Sequence, residues 1–249
     1  MQASELQKRV VFGIIAAVVA GFAIYYGGSV FYLLVLIASA VASLEFDKMR
    51  GDGQISFIFC ALPILLSYHP KFAALLIAVA IILVMVQQFM AKKYYSWLLI
   101  TILYITIPAI SLLWLRNQEH GLEAVIWLAL VVVASDIGGY FFGRALGKNL
   151  LAPSISPKKT WEGFAGGVFC AVIASFIMVQ EPKMILIAIV ISAIGQTSDL
   201  MESAIKRNFN VKDTSTILPG HGGIMDRTDG FVLTAPIVAL FYQGGVIAW

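Results

Sequence analysis

Between Asp199 and Asp229 the chain gathers Asp199, Glu202, Ser203, Lys206, Arg207, Lys212, Asp213, His221, Gly222, Gly223, Asp226, Arg227 and Asp229. Carboxylates set among ammonium and guanidinium groups suit metal-assisted phosphoryl chemistry. The metal bridges phosphate oxygens, and Lys and Arg offset the charge of the transition state. Oxygen-only ligands with no companion His or Cys favour a hard ion such as Mg2+, with a second cation left open. The surroundings sharpen this reading, because only 12% of the chain is Asp, Glu, Lys or Arg and 60% is hydrophobic. Ionisable groups beside bilayer-spanning segments are costly and mark a functional site by default.

At 100° per residue, positions 199, 202, 203 and 206 share an arc of about 100° on one helix. Glu202 and Lys206 are spaced for an i, i+4 ion pair. Asp199, a turn deeper, has no such local partner and is the better metal-ligand candidate. Asp226 and Asp229 follow at i, i+3 with Arg227 between them. Gly222 and Gly223 give a flexible backbone able to close over a ligand. His221 has three open roles: general base, phosphate donor or loop hydrogen bond.

A second charged patch begins at Asp136, flanked by Ser135, Gly138 and Gly139. A structural ion pair and a ligand approached closely by the glycine backbone both account for it. Gly143-Arg144-Ala-Leu-Gly147-Lys148-Asn149 has one residue too few between its glycines for a P-loop and lacks the hydroxyl after its Lys, so that motif is rejected. Ser156-Pro157 predicts a helix start, with Ser156 as cap and Pro157 in the first turn. Lys158 and Lys159 would then oppose the helix dipole unless an anion sits nearby, which points either to a phosphate cradle or to lipid headgroups.

The elements that carry these groups are membrane spans. Apolar runs of about 17 to 25 residues, enough to cross a bilayer, recur at 10–26, 30–46, 54–68, 72–90, 96–115, 122–142, 163–180, 183–200 and 229–248. The expected fold is all-α: one polytopic membrane domain over 1–249, with N-terminal helices over 1–121 and catalytic helices and loops over 122–249. The mean hydropathy of +0.89 agrees. The first run is read as a retained span rather than a cleaved signal, because it is long and another span follows at once. Gly13, Ala17 and Gly21 form a small-residue stripe expected to pack internally, and a homodimer is compatible with it. Cys60 and Cys170 fall in apolar runs and read as small core residues. The net charge of +3 is too slight to argue for nucleic acid.

Alternating nine spans puts fourteen of the seventeen basic residues in one set of loops. Short loops rich in Lys and Arg stay in the cytoplasm. The N-terminus and the charged loops 143–162 and 201–228 are therefore expected there, with Trp249 across the membrane. An anion transporter would spread charge through the midplane or mirror it in two halves. Here the charges crowd at one face of the C-terminal half.

Taken together, Ser203 to Asp229 resembles the signature of phosphatidate cytidylyltransferases, also called CDP-diacylglycerol synthases. The pattern is Ser-x-apolar-Lys-Arg, then Lys-Asp, then Leu-Pro-x-His-Gly-Gly-apolar-x-Asp-Arg-x-Asp. Residues 135–167, Arg9 with Gly13, and Glu45-Phe46 are also similar to that family. The resemblance implies a polytopic, Mg2+-dependent enzyme making CDP-diacylglycerol and pyrophosphate from CTP and phosphatidate, in a bacterial-type cytoplasmic (inner) membrane with its site facing the cytoplasm. It implies that Asp199 and Asp226 are metal-site carboxylates. It places Asp136, Lys158, Lys159, Lys206, Arg207, Lys212, Asp213, His221, Arg227 and Asp229 in a polar substrate cavity. A relative acting on another lipid phosphate, such as an isoprenoid ether, would share these residues. Ser198 stands where the family usually has Gly, and Gly230 where Ser is frequent.

Overall fold

The computed structural model describes residues 3–51, 56–65, 96–217 and 222–247. Among them the helices are α1 (Ala3–Tyr26), α2 (Gly28–Arg50), α3 (Ser56–Leu65), α4 (Ser96–Arg116), α5 (Gly121–Leu146), α6 (Trp161–Met178), α7 (Pro182–Asn208) and α8 (Met225–Gln243). Between α5 and α6 lies a ribbon of β1 (Leu150–Ala152) and β2 (Ser156–Thr160). By length and composition α2, residues 99–116 of α4, α5, α6 and α7 can each cross a membrane, and residues 10–26 of α1 form a shorter apolar stretch. The run 72–90 and the ends of the run 54–68 lie outside the described residues.

Large apolar side chains point outward, among them Val18, Ile37, Phe141, Ile177 and Leu186, while Ser43, Thr101, Ser175, Ser198, Glu202 and Thr234 are fully buried. A chain in water would reverse this distribution. In lipid the helices satisfy their own backbone groups and turn apolar side chains outward. The chain is therefore an integral membrane protein with several apolar helices.

The residues form two compact units. The N-terminal unit is Met1–Trp114 with Asp213–Asp226, and the C-terminal unit is Leu115–Lys212 with Arg227–Trp249. In the first, α2 packs against α1 and α3. Tyr32 donates from its hydroxyl to the Ile64 carbonyl at 2.9 Å. Near the end of α2, Asp47 accepts the Ser56 amide at the start of α3 (3.0 Å) and pairs with Arg50 at 3.2 Å. Among the described residues Gly13 is half-buried while Ala17 and Gly21 are exposed, so the expected small-residue stripe is not a buried seam there, and the buried residue nearby is Ala23.

In the C-terminal unit α5 and α6 meet along glycines. A methyl group on Gly166 would lie 2.3 Å from the Phe142 Cβ, and one on Gly138 would lie 2.5 Å from the Gly166 carbonyl oxygen. Small residues let two backbones approach where lipid offers no hydrophobic drive for association. Gly138 therefore serves helix packing rather than ligand approach. Cys170 is half-buried against it, and Cys60 is buried in the other unit; both are free thiols. Deeper in the unit, Trp127 donates to the Ser175 hydroxyl at 2.9 Å, and Ser135 and Ser192 share a hydrogen bond of 2.7 Å.

The predicted helix start at Ser156 is not what forms. Ser156–Thr160 is the second strand of the antiparallel ribbon, with Leu150 opposite Thr160 and Ala152 opposite Ser156. The cap is Thr160, whose hydroxyl accepts the Gly163 amide at 3.1 Å. Both Ser156 and Thr160 carry capping hydroxyls. The choice goes to Thr160 because Glu162, in the first turn, collects the Lys148 and Asn149 amides at 3.2 Å and the Asn149 side-chain amide at 2.7 Å. The Asn149 carbonyl in turn accepts the Trp161 amide at 2.9 Å.

Candidate active site

The ribbon carries Lys158 and Lys159 to a cavity of about 580 Å³ in the C-terminal unit. Asp136, Tyr140 and Arg144 of α5, Lys158 and Lys159 of β2, and Asp199 of α7 are among its charged and polar lining. Lys159 Nζ lies 2.5 Å from Asp199 Oδ2, with the two side chains 26% and 32% exposed. This pair answers the sequence expectation for Asp199: its partner is not on its own helix but on a strand forty residues earlier. Such partial exposure leaves the carboxylate reachable from the cavity. Tyr140 accepts a hydrogen bond from Arg144 at 3.0 Å. Gly143 and Gly139 add backbone to the wall, so of the two glycines after Asp136 it is Gly139 that faces the cavity. Gly147 donates its amide back to the Gly143 carbonyl as the helix ends, and Asn149 is engaged by Glu162. These residues close a helix and do not form a phosphate loop, as the spacing predicted.

Asp136, Asp199 and Asp229 lie within one another's electrostatic reach, and the charges of Lys159 and Arg227 also act on Asp136. Three like charges in one region of low dielectric repel strongly unless cations compensate them. Asp229 belongs to the first turns of α8, and its backbone carbonyl accepts a short hydrogen bond from the buried Ser198 hydroxyl. The hydroxyl that departs from the family pattern thus ties α7 to α8 beside Asp199. Gly230 has the complementary reason for its size: a methyl there would sit 2.6 Å from Val132 Cγ1.

Further along α7, Glu202, Ser203, Lys206 and Arg207 are not part of this cavity's lining. Glu202 is fully buried and pairs with Lys206 at 2.9 Å, the i, i+4 bridge expected from spacing. Ser203 is half-buried beside them. Arg207 is exposed and donates to the Ile155 carbonyl at 3.3 Å and the Val211 carbonyl at 3.4 Å, pinning the ribbon turn and the end of its own helix. Lys212, the last residue before the chain leaves this unit, is exposed.

The other half of the signature, Asp213 to Asp226, belongs to the N-terminal unit. Asp213 is exposed and Thr214 is buried. Asp226 Oδ2 accepts the Thr214 amide (2.9 Å), the Thr214 hydroxyl (2.9 Å) and the Gly223 amide (2.8 Å). Gly222 has φ of +82°, where a side chain is strained, and a methyl on it would meet Asp226 Oδ2 at 2.5 Å. The paired glycines therefore wrap backbone around a carboxylate of the protein itself. His221 lies outside the described residues.

Sequence reasoning assigned no role to the residue under this segment. Glu45 of α2 is 2% exposed and accepts from Ser215 Oγ (2.6 Å), the Ile224 amide (3.0 Å), the Met225 amide (3.0 Å) and Thr214 Oγ1 (3.3 Å). A methyl on Gly223 would lie 2.5 Å from either carboxylate oxygen. The available signal was a lone Glu ending an otherwise apolar span, where an unpaired carboxylate is costly.

The donor set suits a divalent cation in kind. Asp136, Asp199 and Asp229 offer only oxygen, and Asp199 is partly exposed to the cavity. Among the described residues no three or more His, Cys, Asp or Glu side chains converge closely enough to enclose an ion. One or two carboxylates supplemented by water and substrate phosphates is the usual manner of Mg2+, in contrast to an all-protein cage.

Known proteins resemble this chain along most of its length. The sequence profile of the Cytidylyltransferase family matches residues 7–244. The chain is 33% identical to the phosphatidate cytidylyltransferase of Bacillus subtilis, over 95% of its own length and 99% of that protein. It is 34% identical to the phosphatidate cytidylyltransferase of Staphylococcus haemolyticus over 85% of its length and 89% of the relative. With the protein of that name from Brucella suis it shares 31% identity, over 96% of the chain and 93% of the relative.

Proposed function

Because this chain belongs to the cytidylyltransferase family, we propose that it is a phosphatidate cytidylyltransferase, which transfers CMP from CTP to phosphatidate and releases pyrophosphate. The observation that carries the reading is the cavity where Lys158, Lys159 and Arg144 face Asp136 and Asp199, in a chain matched along its length by relatives of that name. A triphosphate and a lipid phosphate both need cationic partners, and the cavity offers three. The ion pair between Lys159 and Asp199 supports a role in which the ammonium group turns to an incoming phosphate.

In the proposed reaction a phosphate oxygen of the lipid attacks the α-phosphorus of CTP in line. A phosphorus–oxygen bond forms there as the bond to the β-phosphate bridge breaks, and pyrophosphate leaves with the electron pair. No general base is needed, since a phosphate monoester is already largely ionised near neutral pH. Lys158 and Lys159 bind and orient phosphate oxygens and neutralise charge as it moves to the leaving group. Lewis-acid stabilisation of the phosphate charge would come from Mg2+ when bound. On the sequence pattern its proposed ligands are Asp199 and Asp226. Nine spans, a cytoplasmic N-terminus and a site open to the cytoplasm of a bacterial inner membrane complete the reading, supported by the distribution of basic residues.

Purified protein given labelled CTP and phosphatidate is expected to form the liponucleotide, and EDTA is expected to stop it. The activity of Asp226→Asn should fall by about 10²- to 10³-fold, the range for removal of one preorganised electrostatic group. Near-normal turnover in that variant would remove Asp226 from the site, and no product from the wild type would remove the activity itself.

A further inference from the structure

The geometry points to Glu45 as a positioning residue for this reaction, a carboxylate on α2 that fixes the Asp226 segment without touching substrate; this rests on the proposed function. Two acidic residues near the end of α2 do the same physical work on different helices. Asp47 accepts the Ser56 amide, the first of α3. Glu45 accepts the Ile224 and Met225 amides, just before and at the first residue of α8. The first amides of a helix have no intrahelical acceptor, and their end of the helix carries partial positive charge, so a carboxylate there is stabilising. A local side chain usually caps a helix. Here the cap for α8 comes from about 180 residues earlier in the chain.

The four donors account for the acceptor capacity of Glu45: Ser215 Oγ and the Ile224 amide on Oε1, Thr214 Oγ1 and the Met225 amide on Oε2. A buried carboxylate bound by several hydrogen bonds is fixed in place. The Thr214 hydroxyl stands between two carboxylates, 3.3 Å from Glu45 Oε2 and 2.9 Å from Asp226 Oδ2. Its one proton is shared between the two, the closer contact being that to Asp226. The Thr214 and Gly223 amides complete the hold on Asp226 Oδ2. Glu45 thus fixes the Ser215 side of the loop and the entry to α8, and these flank the groups that orient Asp226. Gly223 is the consequence in sequence, since any side chain there would displace the Thr214 hydroxyl and the Glu45 carboxylate.

The test uses the full chain in detergent with CTP and phosphatidate. Glu45→Gln keeps the shape but presents an amide to donors that require acceptors. It should lower kcat by about thirtyfold, the loss of charge-assisted hydrogen bonds, while KM for CTP stays within about twofold. Hydrogen exchange should accelerate across 213–226 and not in α5 to α7. Ser215→Ala removes one donor from Glu45 and leaves Asp226 and its donors in place. Its expected loss is about threefold in kcat with the same split, and it decides the matter if Glu45→Gln does not fold. Wild-type kcat in both variants, or faster exchange spread over the whole chain, overturns the assignment. A wild type inactive on this substrate pair would sink the proposed function instead, and exchange in 213–226 would still report whether Glu45 is the anchor.

Discussion

The two compact units hold their carboxylates in different ways. In the N-terminal unit Glu45 and Asp226 accept from backbone amides and hydroxyls, seven such hydrogen bonds in all. In the C-terminal unit Asp199 and Glu202 are met by the ammonium groups of Lys159 and Lys206. Amides are fixed in direction by the fold. A lysine ends a flexible chain and can exchange one anion for another. The first arrangement suits a scaffold and the second suits a cavity in which phosphates enter and leave. Within the C-terminal unit burial separates the two lysine pairs. Glu202 is wholly enclosed, which makes its bridge structural, whereas Asp199 is one-third exposed to the cavity.

That contrast is broken most severely by Lys206→Ala. It removes the ammonium that pairs with a fully buried carboxylate, and the expected loss of stability is about 3–5 kcal/mol, read as a lower unfolding midpoint in detergent. A midpoint equal to wild type would show that Glu202 finds another cation and that burial does not separate the two pairs. Next in size is Gly166→Val. Its side chain would enter the space of Phe142, and overpacking of this kind costs about 1–3 kcal/mol. It should destabilise the helices around the cavity while leaving exchange in 213–226 unchanged. The smallest effect is expected from Thr214→Val, which keeps the volume but deletes the hydroxyl between Glu45 and Asp226 at about 1 kcal/mol. Two amides still hold Asp226 Oδ2 in that variant. A loss as large as that of Lys206→Ala would mean that hydroxyls, not amides, carry the scaffold.

Much of the candidate site is legible in the chain because its chemistry is rare in an apolar background. Asp136, Lys158, Lys159 and Asp199 stand out among hydrophobic runs, and all four line one cavity. The Glu202–Lys206 bridge is equally plain, since helical spacing alone brings i and i+4 together. The start of α6 falls after Thr160 and not at Ser156 for a physical reason. Ser156-Pro157 and Thr160 offer competing caps, and the competition is settled by Glu162 and Asn149, which meet only when the ribbon forms. Gly138 shows the same limit. A glycine reads as permission for close approach, but its neighbour is Gly166 of another helix and not a ligand.

Composition and spacing by themselves determined that the chain is helical, lives in a membrane and concentrates its charged groups in the C-terminal half, because the cost of burying charge in lipid acts locally and leaves its mark in the linear order. Only the tertiary structure decided that Asp199 answers to Lys159, that Ser198 grips the Asp229 carbonyl, and that a carboxylate near the end of α2 holds the segment before Asp226. Those pairings join residues thirty to one hundred and eighty positions apart, and the identity of a hydrogen-bond partner at such separation is fixed by packing, which no local pattern of residues encodes.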